Sequence, residues 1–362
     1  MAGQKNCFRI TFATMDLHFV KRGGIIFYMK NVVLTFFFAV MLCSCREKQA
    51  EIVENPLEKP TIVGFSQIGS ESSWRTCNTN SIIRAAESEG FQVVYADAEQ
   101  KQENQIRALR SFIVYRVDAI LFAPIVESGW DGVLSEAKEA GIPVIVVDRK
   151  IRTKDKSLVA GFIGENALEE GQKAAEFLLK KYADMSDGEK RNILEITGTA
   201  DSSTAKERSR GFREMLSEHG NGRFSVIFCE SGDFLRSRGN EIISQIIAYN
   251  GGELKIGTKK IDIIFSHNDA MTLGILDALD KGGIAPGSDV TIVSVDGEQS
   301  AINELKRGRL NCVVECNPRT GEQLMKLVKT VLSGGEIPAE SYVDEDLFCE
   351  FDNLTLLEGR GY

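Results

Sequence analysis

From about residue 61 onward, short apolar runs alternate with stretches whose apolar positions recur at helical spacing. The pattern predicts strands at 61–67, 91–96, 119–123 and 143–147, separated by helices at 78–89, 102–115 and 130–140. A run at 158–163 ends this first set. The rhythm then restarts: helix 167–182, strand 191–197, helix 205–217, strand 225–229, helix 240–249, strand 261–266, helix 270–280 and strand 290–295, with a further strand at 310–315. A βαβα succession predicts a parallel sheet with helices on both faces. Two such sets predict an α/β chain with two doubly wound parallel-sheet lobes.

The first 60 residues do not follow this rhythm. Met29-Lys30 opens a short basic stretch, and residues 32–41 form an apolar run too short for a membrane span of about 20 residues. The run ends in Leu42-Cys43-Ser44-Cys45, which reads as a bacterial lipoprotein cleavage box with Cys45 as the acylated residue. Residues 1–44 are therefore expected to be leader and signal peptide, with Met29 as the natural start, and 45–60 a tether. Removing residues 1–44 from the 362 leaves 318, comfortable for two hydrophobic cores. The formal net charge of −9, with no offsetting basic run, argues against a nucleic-acid partner. Beyond the leader and Cys45 stand Cys77, Cys229, Cys312, Cys316 and Cys349, read as buried thiols, although an oxidising compartment permits a disulfide. His219 and His267 are the remaining histidines and there is no Cys-x-x-Cys, so no metal site is expected and no cofactor is implied.

Chemistry gathers where strands end. The segment Val63-Gly-Phe-Ser-Gln-Ile-Gly-Ser-Glu-Ser-Ser-Trp-Arg75 runs from an apolar strand through small polar residues into a Trp-Arg pair. An aromatic face beside a guanidinium suits a neutral polyhydroxylated ligand, stacking on its C–H face and donating to its hydroxyls. Val147-Asp-Arg149, Thr197-Gly-Thr199, Ser266-His-Asn-Asp269 and Val295-Asp-Gly297 place polar groups at four more strand ends, the usual site of a binding crevice in α/β sheets.

The chain resembles the periplasmic sugar-binding proteins of the ribose/galactose type, and among them the galactofuranose binders. The resemblance is carried by Gly64-Phe-Ser-Gln-Ile-Gly-Ser-Glu-Ser72, Gln100-Lys-Gln-Glu-Asn-Gln-Ile106, Val117-Asp-Ala-Ile120, Lys154-Asp-Lys-Ser-Leu158, Ser231-Gly-Asp-Phe234, His267-Asn-Asp269 and Gly361-Tyr362, in order, from about Thr61 to the end. It implies a type I periplasmic-binding-protein fold with three crossings, near Gly164, Asn317 and Val343. The lobes would then be 61–164 with 317–343, and 165–316 with 344–362, closing on a ligand by a hinge. With the lipoprotein signal, the expectation is a monomer without catalysis, lipid-anchored in the periplasm, that binds a monosaccharide and serves a membrane ABC permease or a sensor kinase. Galactofuranose is the first candidate and another furanose or pentose the second.

By the same resemblance, Glu71, Ser73, Trp74 and Arg75 contact ligand after the first strand, and Asp148 with Arg149 grips sugar hydroxyls. In the second lobe the resemblance marks Arg208, with Lys206 as an alternative, Phe234 as an aromatic cover, and Asn268 and Asp296 at strand ends. The last two residue types are also favoured as helix caps. Asp269 reads as a cap or an interlobe partner, and Glu315 as a weaker candidate. Ala123 stands where ribose binders carry Asn, so the pocket departs from a ribose pocket.

Two rival classes lack elements that they require. Ser203-Thr-Ala-Lys206 is formally a Ser-x-x-Lys acyl-transfer motif, but the Ser-Asp-Asn and Lys-Thr-Gly elements that accompany it are missing. LacI-type regulators share the fold but need a helix-turn-helix where this chain has its lipoprotein signal.

Overall fold

The computed structural model describes residues 59–186 and 188–362. The expected leader (1–44), the acylated Cys45 and most of the tether lie outside the described residues. Lys59–Tyr362 forms one compact unit.

Its first part runs β1 (Ile62–Gln67), α1 (Ser73–Ser88), β2 (Gln92–Asp97), α2 (Gln102–Tyr115), β3 (Ala119–Phe122), α3 (Asp131–Glu139), β4 (Val144–Val147) and β5 (Gly161–Gly164). The second part runs α4 (Ala167–Lys181), β6 (Arg191–Thr197), α5 (Ser203–His219), β7 (Phe224–Ser231) and α6 (Arg236–Tyr249). It continues with a small hairpin of β8 (Lys255–Ile256) and β9 (Lys259–Lys260), then β10 (Ile263–Ser266), α7 (Asp269–Lys281), β11 (Thr291–Asp296), α8 (Gln299–Lys306) and β12 (Cys312–Glu315). α9 (Gly321–Leu332), β13 (Glu340–Tyr342) and β14 (Leu347–Cys349) follow.

These strands make two six-stranded sheets, ordered β13-β5-β4-β3-β1-β2 and β14-β12-β11-β10-β6-β7. All pairings in them are parallel except β12–β14. The chain thus leaves the first sheet after β5, returns to it after β12 for α9 and β13, and re-enters the second sheet with β14. β3 (AILF), β4 (VIVV), β10 (IIFS) and β12 (CVVE) are buried along their whole length, as strands covered on both faces must be. Each sheet carries a buried cluster on either face, and every fully buried Val, Leu, Ile or Phe there contributes about 1.5–3 kcal/mol.

Three helices start earlier than their hydrophobic pattern predicts. Ser72 caps α1 by accepting from the Arg75 amide, and Ser202 caps α5 by accepting from the Ala205 amide. α6 opens at Arg236 without a side-chain cap. Each opens on residues outside the regular apolar spacing, Ser-Trp-Arg-Thr in α1, Ser-Thr in α5 and Arg-Ser-Arg-Gly in α6.

Candidate functional site

The carboxyl ends of both sheets face one another, and their loops enclose a tight cavity of about 30 Å³, well below the roughly 300–1,000 Å³ typical of ligand sites. It is lined by Glu71, Trp74, Arg75, Asp148 and Arg149 from the first lobe, and by Arg208, Phe234, Asn268 and Asp296 from the second. Ser72, Thr204 and Cys316 complete the wall. Nine of the ten residues predicted from sequence therefore converge. Ser73 does not: it is exposed on the first turn of α1 and faces an outer groove.

The helix start at Ser73 explains the first-lobe geometry. It puts Trp74 and Arg75 on the first turn of α1, directly above the end of β1. The Arg75 guanidinium lies 4.7 Å from the Trp74 ring centre. It donates to Glu71 Oε1 (3.0 Å), Gln67 Oε1 (3.2 Å) and the Asp148 carboxylate. Burial works against its charge, but Asp148 and Glu71 outweigh it and hold the pKa above the ordinary value. Asp148 leaves β4 at φ 65°, in the left-handed region. Arg149 beside it donates to the Ile125 carbonyl (3.2 Å) and lies 4.9 Å from the Phe234 ring of the opposite lobe. Among the described residues its Nε has no partner, nor has Glu71 Oε2, although both are buried.

In the second lobe, α4 and α5 touch through glycines. A Cβ on Gly171 would collide with the Arg208 carbonyl, and one on Gly211 with that of Leu168. This close approach brings Glu170 under Arg208, which donates to Glu170 at 2.6 and 3.1 Å and to the His267 carbonyl. One Arg208 nitrogen lies 3.9 Å from Asp296 Oδ1. Lys206 is elsewhere, paired with Glu127 at 2.6 Å on the rim, so Arg208 is the basic residue of α5 that lines the cavity. Phe234 sits at φ 61° against Gly198, where a Cβ would overlap its ring.

Asn268 both lines the cavity and caps α7, accepting from the Met271 amide (2.9 Å) and donating to the Phe234 carbonyl (3.3 Å). Asp296 ends β11 at φ 124°; burial raises its pKa well above the carboxylate norm, against the pull of Arg208. Its carboxylate accepts no hydrogen bond among the described residues and is free for a ligand hydroxyl. Asp269 points away from the cavity. It accepts from Ser294 Oγ (2.5 Å) and from the Gly297 and Glu298 amides (2.8 and 2.7 Å), bracing the loop that carries Asp296. Glu315 pairs with Arg360 and accepts from the Asp346 amide (2.9 Å), outside the cavity.

Three guanidinium groups and three carboxyl groups line the space, and Glu170 lies behind Arg208. Such a wall offers donors and acceptors suited to a ligand with many hydroxyls. The missed residues have identifiable roles. Thr204 donates to the buried Glu165 (3.0 Å), and Cys316 is reached only because the chain crosses between lobes there. Thr204 lay inside the Ser-x-x-Lys motif. Ser203 of that motif accepts from the Lys150 amide across the cleft (2.8 Å).

The lobes meet around the cavity. The Trp74 indole donates to the Cys316 carbonyl (2.7 Å), and its amide to Glu298 Oε1 (2.9 Å). The Glu127 amide donates to the Asp201 carbonyl (3.0 Å).

Residues 63–336 match the family described as periplasmic binding protein domain. The galactofuranose-binding protein YtfQ of Escherichia coli K12 is 38% identical over 283 residues, covering 78% of this chain and 85% of that protein. A crystal structure of a galactofuranose binding protein superposes with a TM-score of 0.74 at 37% identity, covering 80% of this chain and 95% of that one. The periplasmic component of the arabinose ABC transporter from Shewanella sp. ANA-3, bound to L-arabinofuranose, superposes with a TM-score of 0.73 at 36% identity, over 80% and 92% of the two chains.

Proposed function

Since the chain belongs to the periplasmic binding protein domain family, we propose that it captures a furanose monosaccharide between its two lobes and delivers it to a membrane ABC permease. Galactofuranose is the first candidate and arabinofuranose the second, the ligands of the relatives named above. The lobes are 61–164 with 317–343, and 165–316 with 344–362. The protein works as a monomer, held at the envelope through an acylated Cys45, and performs no catalysis.

The observation that carries the reading is the narrow cavity between the lobes, with two aromatic faces and buried polar atoms that lack a protein partner. Trp74 covers the sugar from one side and Phe234 from the other, and hydroxyls donate to Asp296 and Glu71 and accept from Arg149. Each hydrogen bond to a charged group is worth about 1.5–3 kcal/mol. Few are needed for micromolar binding at about −8 kcal/mol. Because the contacts come from both lobes, the sugar favours the closed state.

The test is a thermal-shift screen of the chain from Glu51 onward against galactofuranose, arabinose, ribose, xylose, fructose, glucose and galactose. A ligand at a hundredfold excess over Kd stabilises by about 2.7 kcal/mol. The expected result is a shift with galactofuranose or arabinose that disappears in Asp148→Ala. No shift with any sugar of the panel would overturn the monosaccharide reading.

A further inference from the structure

Cys312 and Cys349 face each other across the antiparallel pair of β12 and β14. The Glu315 amide donates to Asp346 (2.8 Å) and the Glu350 amide to Asn311 (2.9 Å), so bonded positions alternate at 311, 313 and 315. The 312/349 pair therefore occupies a non-hydrogen-bonded position, where Cα atoms approach to about 4.5 Å and both side chains leave on one face. That spacing lies within the roughly 4.4–6.8 Å that a disulfide spans. Both thiols are buried in the same cluster and both are free.

We propose that Cys312 and Cys349 form a disulfide in an oxidising compartment, a staple across the two hinge strands of the second lobe. The bridge encloses residues 313–348, the whole excursion of the chain into the first lobe and back. It ties the second and third crossings together at their roots. The oxidant is an external disulfide. The thiolate of one cysteine attacks it, forming a mixed disulfide and releasing one external thiolate. The second cysteine loses its proton and attacks the mixed disulfide; the Cys312–Cys349 bond forms and the second external thiolate leaves. Two protein thiols are oxidised by two electrons, and the external disulfide becomes two thiols carrying the two protons.

Burial raises the pKa of both thiols, so few thiolates form in the folded protein and exchange there is slow. β14 is three residues long and sits at the sheet edge, where local opening is easiest. The bond forms during folding or through that opening. The inference rests on the extracytoplasmic location in the reading above, but its test needs no sugar.

The full chain is unfolded and refolded with a mixture of reduced and oxidised glutathione, then digested without reductant and mapped by mass. The expected result is one linked peptide pair joining Cys312 to Cys349. Reduction should lower Tm by on the order of 10 °C, and Cys312→Ser with Cys349→Ser should abolish that sensitivity. Comparing the oxidised and reduced wild-type chain needs no substitution and keeps the test decisive if the variants fold poorly. Free, alkylatable Cys312 and Cys349 after this treatment, or a bridge to Cys77, Cys229 or Cys316 instead, would overturn the proposal.

Discussion

Asp148, Phe234 and Asp296 line the cavity with positive φ, a conformation that costs a non-glycine residue of order 1–3 kcal/mol. Asp296 at 124° is the most strained and its carboxylate is buried. Asp296→Gly should therefore raise the thermal stability of the sugar-free protein by a few degrees while lowering sugar affinity at least tenfold, read by scanning calorimetry and titration calorimetry. Glu195 behaves oppositely. It is buried, and although burial opposes its charge, His267, Ser209 and Arg213 bring its pKa down to about 2. The unfolded chain takes up this proton near the ordinary value of 4.5, whereas the folded chain refuses it down to about 2. Its stabilisation is thus complete above pH 4.5 and lost as pH falls through that window. Glu195→Gln should cost about 2–3 kcal/mol at pH 7 and almost nothing at pH 2, measured by urea unfolding at both.

At the scale of elements, strand positions were legible because continuous apolar runs have no other use in a sheet covered on both faces. Helix starts were not, because Ser72 and Ser202 resemble loop residues until their capping bonds are seen. β13 and β14 are three residues each and give no periodicity. α8 lies between the strands expected at 290–295 and 310–315, and α9 beyond the second of them; neither was expected as a helix. For the site, polar and aromatic residues at strand ends together with the family resemblance, which alone marked Arg208 and Phe234, located nine of the lining side chains, whereas Cys316 and Thr204 depend on interlobe geometry. The contact of α4 with α5 gives the sharpest element-level test. Gly211→Ala forces the two helix backbones apart and moves Arg208 away from Glu170. The expected cost is about 1–3 kcal/mol of stability, with weakened sugar binding, checked by denaturant midpoint and calorimetry.

For the whole molecule, the contacts around the cavity belong to closure as much as to ligand recognition. Glu298 of the second lobe accepts from the Trp74 amide at the start of α1 in the first, a carboxylate on the positive end of a helix. It does not line the enclosed cavity. Glu298→Ala should nevertheless weaken sugar affinity by about 1 kcal/mol, roughly fivefold, because only the closed state loses a contact. Unchanged affinity would remove this contact from the closing equilibrium.

The indole of Trp74 spans the two lobes, whereas the chain's other tryptophan, Trp130, is wholly buried within the first. Opening the cleft strips Trp74 of its bond to the Cys316 carbonyl and exposes it to water, while Trp130 keeps its surroundings. The protein thus carries its own optical gauge. Emission from Trp74 should be blue when sugar is held and shift to longer wavelength on release, and in Trp130→Phe the whole signal reports the position of the hinge.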